Sequence, residues 1–219
     1  MGALAGERLR KKFPVPVFSP CALLCREAAE RPVPAPTTQT PGARVVAVLG
    51  SETSLASGFY QEALARVGVR GILCPASALA EAVAEGLRQA REGQPAGTLE
   101  TLVEEALAPA LESEARVEAV LLAESALGLV TPLVERVVGP GIPVIEVLAE
   151  LAGEVERMLS LSGVLRPPGA DGSRKAGARH FLASGDVDRF RERGAALFGG
   201  PLGRVVKASP QSFFEPRAQ

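Results

Sequence analysis

An α/β fold, small parallel sheets covered by helices, is predicted by three observations. Short apolar runs alternate with stretches of helical periodicity from residue 43 to residue 138, the pattern of a parallel sheet whose crossovers are helices. The runs are apolar without alternation, as in RVVAVL at 44–49 and Val120-Leu121-Leu122. Strands buried on both faces read this way. Turn and cap residues stand at the joins: Gly50-Ser51 after the first run, Ser54 and Ser77 before helical stretches, and Gly139-Pro140-Gly141 where the alternation stops.

In chain order, residues 3–12 are helical in composition, and PVPVFSP at 14–20 is extended, with a strand at 14–18. Ala22 to Glu30 suits a short helix, and the Pro-rich 31–42 is a connector and a domain boundary. After the strand at 44–49, Ser54 is expected to cap a helix that turns Leu55, Phe59, Ala63 and Leu64 inward. GILC at 71–74 is the next strand. A helix from Ser77 to about Glu92 carries Leu79, Val83 and Leu87 on one face, and one opened by Thr98 carries Leu99, Leu102, Val103, Ala106 and Leu107. Past the boundary at 139–141 come a strand at 142–147 and a helix to about Leu159 with Leu148, Leu151, Val155 and Leu159 inward. A loop at 162–179 follows, then a strand at 180–184. Asp186 caps a helix with Val187, Phe190, Leu197 and Phe198 inward, and the last strand is 204–208.

Composition excludes several functions. At 47% hydrophobic and 22% charged residues, the 219-residue chain can bury one or two real cores. A net charge of −1 leaves no footprint for nucleic acid or an acidic membrane. Tryptophan is absent and tyrosine single, so no base-stacking platform is expected. No apolar run reaches the roughly 18–20 residues that span a bilayer. MGALAGERLRKKF has no signal-peptide apolar region, and Gly6 stands where myristoylation needs Ser or Thr. A cytoplasmic protein with no nucleic-acid or membrane partner is expected. The three cysteines, Cys21, Cys25 and Cys74, form no CxxC pair and read as reduced thiols. With His180 they supply Cys3His donor types, but the spacing matches no zinc pattern, and no metal is expected.

The chain is organised around EAVLLAESALGLV at 118–130. Its apolar run breaks at Glu124-Ser125, and a helical pattern follows with Leu129, Leu133, Val134 and Val137. That turn lies at the carboxyl end of a strand, where open α/β sheets bind ligands. Glu124 is therefore a candidate site residue. The plainer reading, a solvated carboxylate at a helix start, stands beside it.

The motifs resemble those of the cofactor-independent glutamate racemases of the aspartate/glutamate racemase superfamily. VLGSETSLASGFY at 48–60 is similar to L-A-T-x-x-T-V-x-S-x-x-Y, with Ser51, Ser54, Ser57 and Tyr60 at the polar positions. Cys74-Pro75 and Glu85-Gly86 resemble C-P…V-E-x-G. EAVLLAESALGLV resembles D-x-L-V-L-G-C-T-H-Y-P-L-L without a gap. IPVIEVLAELAGEVERML and RHFLASGDVDRF resemble the two later segments, V-x-L-I-D-S with its helix and F-x-T-T-G-D-x-x-x-F. The resemblance implies two α/β domains: an intact inserted domain at 43–138 and a partial outer domain from 1–42 and 139–219. It implies amino-acid racemisation that serves peptidoglycan synthesis and needs no cofactor, with one cysteine removing the α-proton and a second delivering a proton to the opposite face.

The chain departs from the pattern at those groups. Glu124 holds the second cysteine position, Ser125 that of the threonine, and Ala126 that of the activating histidine. Glu146-Val147 stands for Asp-Ser. Ala84 falls at the V-E-x-G carboxylate, so Glu81 or Glu85 would substitute. The C-N-T-A motif of the first cysteine would precede residue 3, and none of the three cysteines inherits a catalytic role. The resemblance thus implies Glu124 as the catalytic-position residue and Ser51, Ser54, Ser125 and Glu85 as substrate-binding positions, for a small acidic amino acid or other small anion. Three readings follow: a racemase-like protein inactive by itself, an active racemase or isomerase whose start lies upstream and which uses Glu124 as acid or base, and a non-catalytic interaction protein. An incomplete outer domain would leave a sheet edge open, so a homo-oligomer is expected.

Overall fold

A computed structural model describes residues 11–12, 16–31, 44–91, 99–165 and 179–209. The chain divides into two compact units, Met1–Val83 with Gly97–Leu165, and Ala84–Ala96 with Arg166–Gln219.

The first unit is built on four parallel strands: β1 (Arg44–Gly50), β2 (Val69–Pro75), β3 (Ala119–Leu122) and β4 (Val144–Glu146). Their order is β2-β1-β3-β4. The unbroken apolar runs have the cause expected of them, because side chains of alternate residues enter two cores. On one face Ala47, Leu49, Val120 and Leu122 meet Leu79 and Val83 of α4 (Ser77–Arg91), Val103 and Leu107 of α5 (Leu99–Leu111), and Val134 of α6 (Thr131–Val138). On the other, Val46, Val48, Ala119, Leu121 and Ile145 meet Leu24, Cys25 and Ala28 of α1 (Pro20–Glu30) and Tyr60 and Leu64 of α3 (Phe59–Arg66). Ser19 caps α1 through its side chain, with Pro20 in the first turn, where a missing N–H costs nothing. Arg31–Glu150 and Arg26–Glu154 ion pairs tie α1 to α7 (Val147–Leu161).

Several expectations need correction here. The strand at 142–147 is β4, and it pairs with β3 rather than with 180–184 and 204–208. The helix at 20–30, expected in the outer part, covers the same sheet. Gly139-Pro140-Gly141 ends α6 but serves as a short αβ turn, which the same residues fit equally well. The helix begun near residue 52 is two helices, α2 (Glu52–Ala56) and α3, parted at Gly58, whose φ of +73° a side chain would resist. Ser51, not Ser54, is the cap of α2. Leu129, read as part of one helical pattern with Leu133, Val134 and Val137, instead lies in a 3-10 turn at 125–130 before α6 and is 46% exposed. Leu148 of α7 is likewise exposed. Of the strand expected at 14–18, residues 16–18 carry no regular structure, and 14–15 lie outside the described residues. So do most of the helix at 3–12, the connector at 32–42, the cap Thr98 and most of the loop at 162–179.

The second unit contains β5 (Phe181–Ala183), α8 (Val187–Leu197) and β6 (Val205–Lys207), the two strands parallel. Asp186 caps α8 by accepting from the Arg189 N–H at 2.8 Å, and that bond holds its carboxyl below the usual carboxylate range. Ala183, Leu202 and Val205 form a small core. Phe190, Leu197 and Phe198, expected inward, are exposed. A two-stranded sheet offers too little surface to bury the apolar side of a helix. The register partners Leu182 and Val206 share the other face and are 54% and 42% exposed.

Candidate functional site

The carboxyl ends of β1, β2 and β3 are bound to one another. The Ala123 N–H donates to Leu49 O at 2.8 Å, and the Ala76 N–H to Gly50 O at 2.9 Å. These bonds bring the next residues of each strand into one cluster. The Ser51 N–H donates to Glu124 Oε1 at 2.8 Å. The Ser51 hydroxyl donates to Ser54 Oγ at 3.0 Å and accepts from the Ser54 N–H at 3.4 Å. The Glu52 N–H donates to Ser77 Oγ at 3.2 Å. Three of the sequence candidates, Ser51, Ser54 and Glu124, thus lie together. Ser125 follows Glu124 as the exposed first residue of the 3-10 turn. Glu85 is exposed on α4 and belongs to the second unit.

Glu124 is extended, with φ −126° and ψ 141°, and this carries its side chain across to the β1 turn. Glu146, at the end of the neighbouring β4, lies over the turn that follows Glu124. Its Oε1 occupies the space that a Cβ on Gly128 would fill. Residues 50–58, 75–80, 123–131 and 146–149 contain three carboxylates, Glu52, Glu124 and Glu146, and no Lys, Arg or His.

Two residues below the turn were not singled out together by the sequence. The Cys21 thiol donates to Tyr60 Oη at 3.1 Å, and the Tyr60 hydroxyl donates to Ala123 O at 3.4 Å. The signal for Tyr60 was its place in the 48–60 motif as the single tyrosine. Nothing in the sequence joined it to Cys21, 39 residues away. Burial pushes the Tyr60 phenol up, its bond with Cys21 adds to the rise, and the charge of Glu124 adds further.

All three cysteines are free thiols. Burial pushes Cys25 to about 12 and Cys74 to about 11. It also raises Cys21, against the lowering effect of the Tyr60 bond. Neutral thiols are poor proton acceptors and nucleophiles near neutrality. A stability prediction follows. The unfolded chain ionises these thiols near their ordinary 9.0, while the folded chain keeps its protons. Stability is therefore full below about pH 9 and falls as pH rises through 11 to 12. Urea melts at about pH 8 and about pH 10.5 should show the loss, smaller in Cys25→Ala; an equal midpoint at both pH values would contradict it.

A shallow cleft lined by Ala110, Arg116, Val117, Pro140 and Ile142 lies at the amino ends of β3 and β4, the other end of the strands from this cluster. Among the described residues no group of three His, Cys, Asp or Glu side chains could hold a metal ion, and no helix is long and apolar enough to cross a membrane.

No protein-family model matches the chain. Among curated proteins it is 27% identical over 170 residues to glutamate racemases of Mycobacterium tuberculosis and Mycobacterium bovis, over 75% of this chain and 57% of theirs. The chain thus spans a little over half the length of the curated relatives it matches. Among solved structures it superposes on glutamate racemases of Francisella tularensis, solved in complex with D-glutamate (TM-score 0.70, 12% identity), and Thermus thermophilus (TM-score 0.69, 20% identity). Each of these alignments covers 96% of this chain and 70% of the other. The structural matches show that the chain shares the fold of glutamate racemases, and over 170 residues it is similar to them in sequence.

Proposed function

We propose that this chain is a glutamate racemase-like protein that does not racemise by itself, and that the loops after β1 and β3 form its site for a small acidic amino acid or other small anion. One observation carries the reading. Glu124, at the position where the resemblance puts a catalytic cysteine, is a carboxylate held by the Ser51 N–H. Ser51, Ser54 and Ser125 are the hydroxyl groups this site offers a ligand, and Glu85 remains a candidate from the V-E-x-G resemblance. The family reaction, interconversion of L- and D-glutamate for peptidoglycan synthesis without pyridoxal phosphate, is the activity the chain departs from. Exchange of the substrate α-proton in deuterated water tests the proposal. None is expected, and exchange that disappears in Glu124→Gln would instead favour an active isomerase with Glu124 as acid or base.

A second reading, an interaction protein, is favoured by the face that carries Leu182 and Val206. Parallel sheets are ordinarily covered on both faces and paired beyond two strands. Uncovered strands of this kind drive association, so a homo-oligomer formed through the second unit is expected. Light scattering should give a mass that rises with concentration towards a dimer, and Leu182→Lys should hold the chain monomeric. A monomer of constant mass across a wide concentration range would remove this reading.

A further inference from the structure

We propose that the cleft at the amino ends of β3 and β4 is a second ligand site, for a small carboxylic acid with an apolar body. It stands at the other end of the strands from the loops after β1 and β3, and it does not depend on how those loops are read. The cleft has a volume of about 390 Å³, within the range of small-molecule sites. Its walls are mostly apolar: Leu111 at the end of α5, Val117 before β3, and Pro140 and Ile142 in the turn that leads to β4. Val117 is buried in the core beneath, and Ile142 packs against that core, so these walls are fixed. Leu111 is 50% exposed, an apolar side chain that a bound molecule would take out of water.

Two polar groups set what that molecule must carry. Arg116 lines the cleft, and among the described residues it forms no ion pair. The carboxylates near it in sequence are turned elsewhere. Glu118 pairs with Arg44 at 3.7 Å, and Glu112 and Glu114 are exposed and do not line the cleft. The Ser113 hydroxyl accepts from the Ala115 N–H at 3.2 Å, which leaves its hydrogen to donate. The cleft thus offers a guanidinium and a hydroxyl, both donors, beside an apolar wall. A guanidinium grips a carboxylate through two parallel N–H bonds, and an apolar body gains by leaving water against Leu111, Val117 and Ile142. A neutral apolar molecule would leave Arg116 unused, and a bare anion would leave the apolar walls wet. Only a molecule with both parts uses the whole cleft.

The test is an amide titration by NMR with sodium phenylacetate, at ionic strength matched with sodium chloride. The Val117, Gly141 and Ile142 amides should shift saturably over a range to about 20 mM, well past a millimolar dissociation constant. Arg116→Gln, a change at an exposed position, should weaken that binding at least about tenfold. Two control compounds make the same point on the unaltered chain, whether or not the variant folds. 2-Phenylethanol keeps the ring without the charge, sodium acetate keeps the charge without the ring, and each should bind at least about tenfold more weakly than phenylacetate. Absence of saturable shifts with phenylacetate would overturn the proposal, as would shifts confined to residues away from the cleft. So would equal affinity for phenylacetate and either control compound, or an unchanged affinity in folded Arg116→Gln.

Discussion

Neither enantiomer of glutamate is expected to exchange its α-proton into deuterated water in the presence of this chain. Inversion at a carbon needs a base on one face and an acid on the other, each poised near neutrality. Glu124 supplies one group, and of the wrong kind. Glu124 brings a carboxylate to the position where the resemblance places a thiol, and glutamate brings two carboxylates of its own. Like charges at about 4 Å cost roughly 1 kcal/mol in water and about 4 kcal/mol at an effective dielectric of 20. The larger figure weakens binding by nearly a thousandfold. Ala126, where the resemblance places an activating histidine, has no side chain that can move a proton. The chain's own thiols do not fill the gap, since burial keeps Cys21, Cys25 and Cys74 protonated. Glu124→Cys alone should therefore leave exchange undetectable: it restores one thiol without the activating side chain that Ala126 lacks. Proton NMR of the glutamate α-position over hours measures this directly. Deuterium incorporation by the unaltered chain, abolished in Glu124→Gln, would make Glu124 a working acid or base.

The strands that build the site were legible because both of their faces are buried. RVVAVL and Val120-Leu121-Leu122 have no polar position to mislead the reading, and Glu124 follows the second run as the first charge. Both runs thereby mark where Ser51, Ser54 and Glu124 stand, just past the carboxyl ends of their strands. The bond from the Ser51 N–H to Glu124 was not legible, since it depends on the extended backbone of Glu124 and on the register of β1 with β3. The partner of the strand at 142–147 was misread because Gly139-Pro140-Gly141 is chemically the same whether it ends a domain or makes an αβ turn. The inward positions of α7 and α8 were misread for another reason. Periodicity marks the apolar side of a helix but not how much surface waits to cover it. Phe190, Leu197 and Phe198 keep their helical spacing and are still exposed.

The same difference between the two sheets sets the largest stability effect expected. Leu121 is fully buried in β3, between β1 and β4, and enters the core that α1 and α3 close. Leu121→Ala removes three carbons from a site walled by strand backbone and by Val46, Val48 and Ile145, which cannot move inward without breaking register. Such truncations cost about 2–5 kcal/mol, the upper part of the range where the surroundings relax least. Against a total stability on the order of 5–15 kcal/mol, that is a large share. The melting temperature should drop by roughly 10 °C, at about 2–4 °C per kcal/mol for a chain of this size. Leu182→Ala is the matched control: it removes the same atoms from a strand of the second unit, but from a side chain 54% exposed in the single chain, and at a concentration low enough to keep the chain monomeric it should cost less than about 0.5 kcal/mol. Circular dichroism melts of the two variants at one protein concentration separate these cases. Equal losses would mean that Leu182 is covered in solution, by a second copy or by another part of the chain, and repeating the Leu182→Ala melt over a concentration series would distinguish the two.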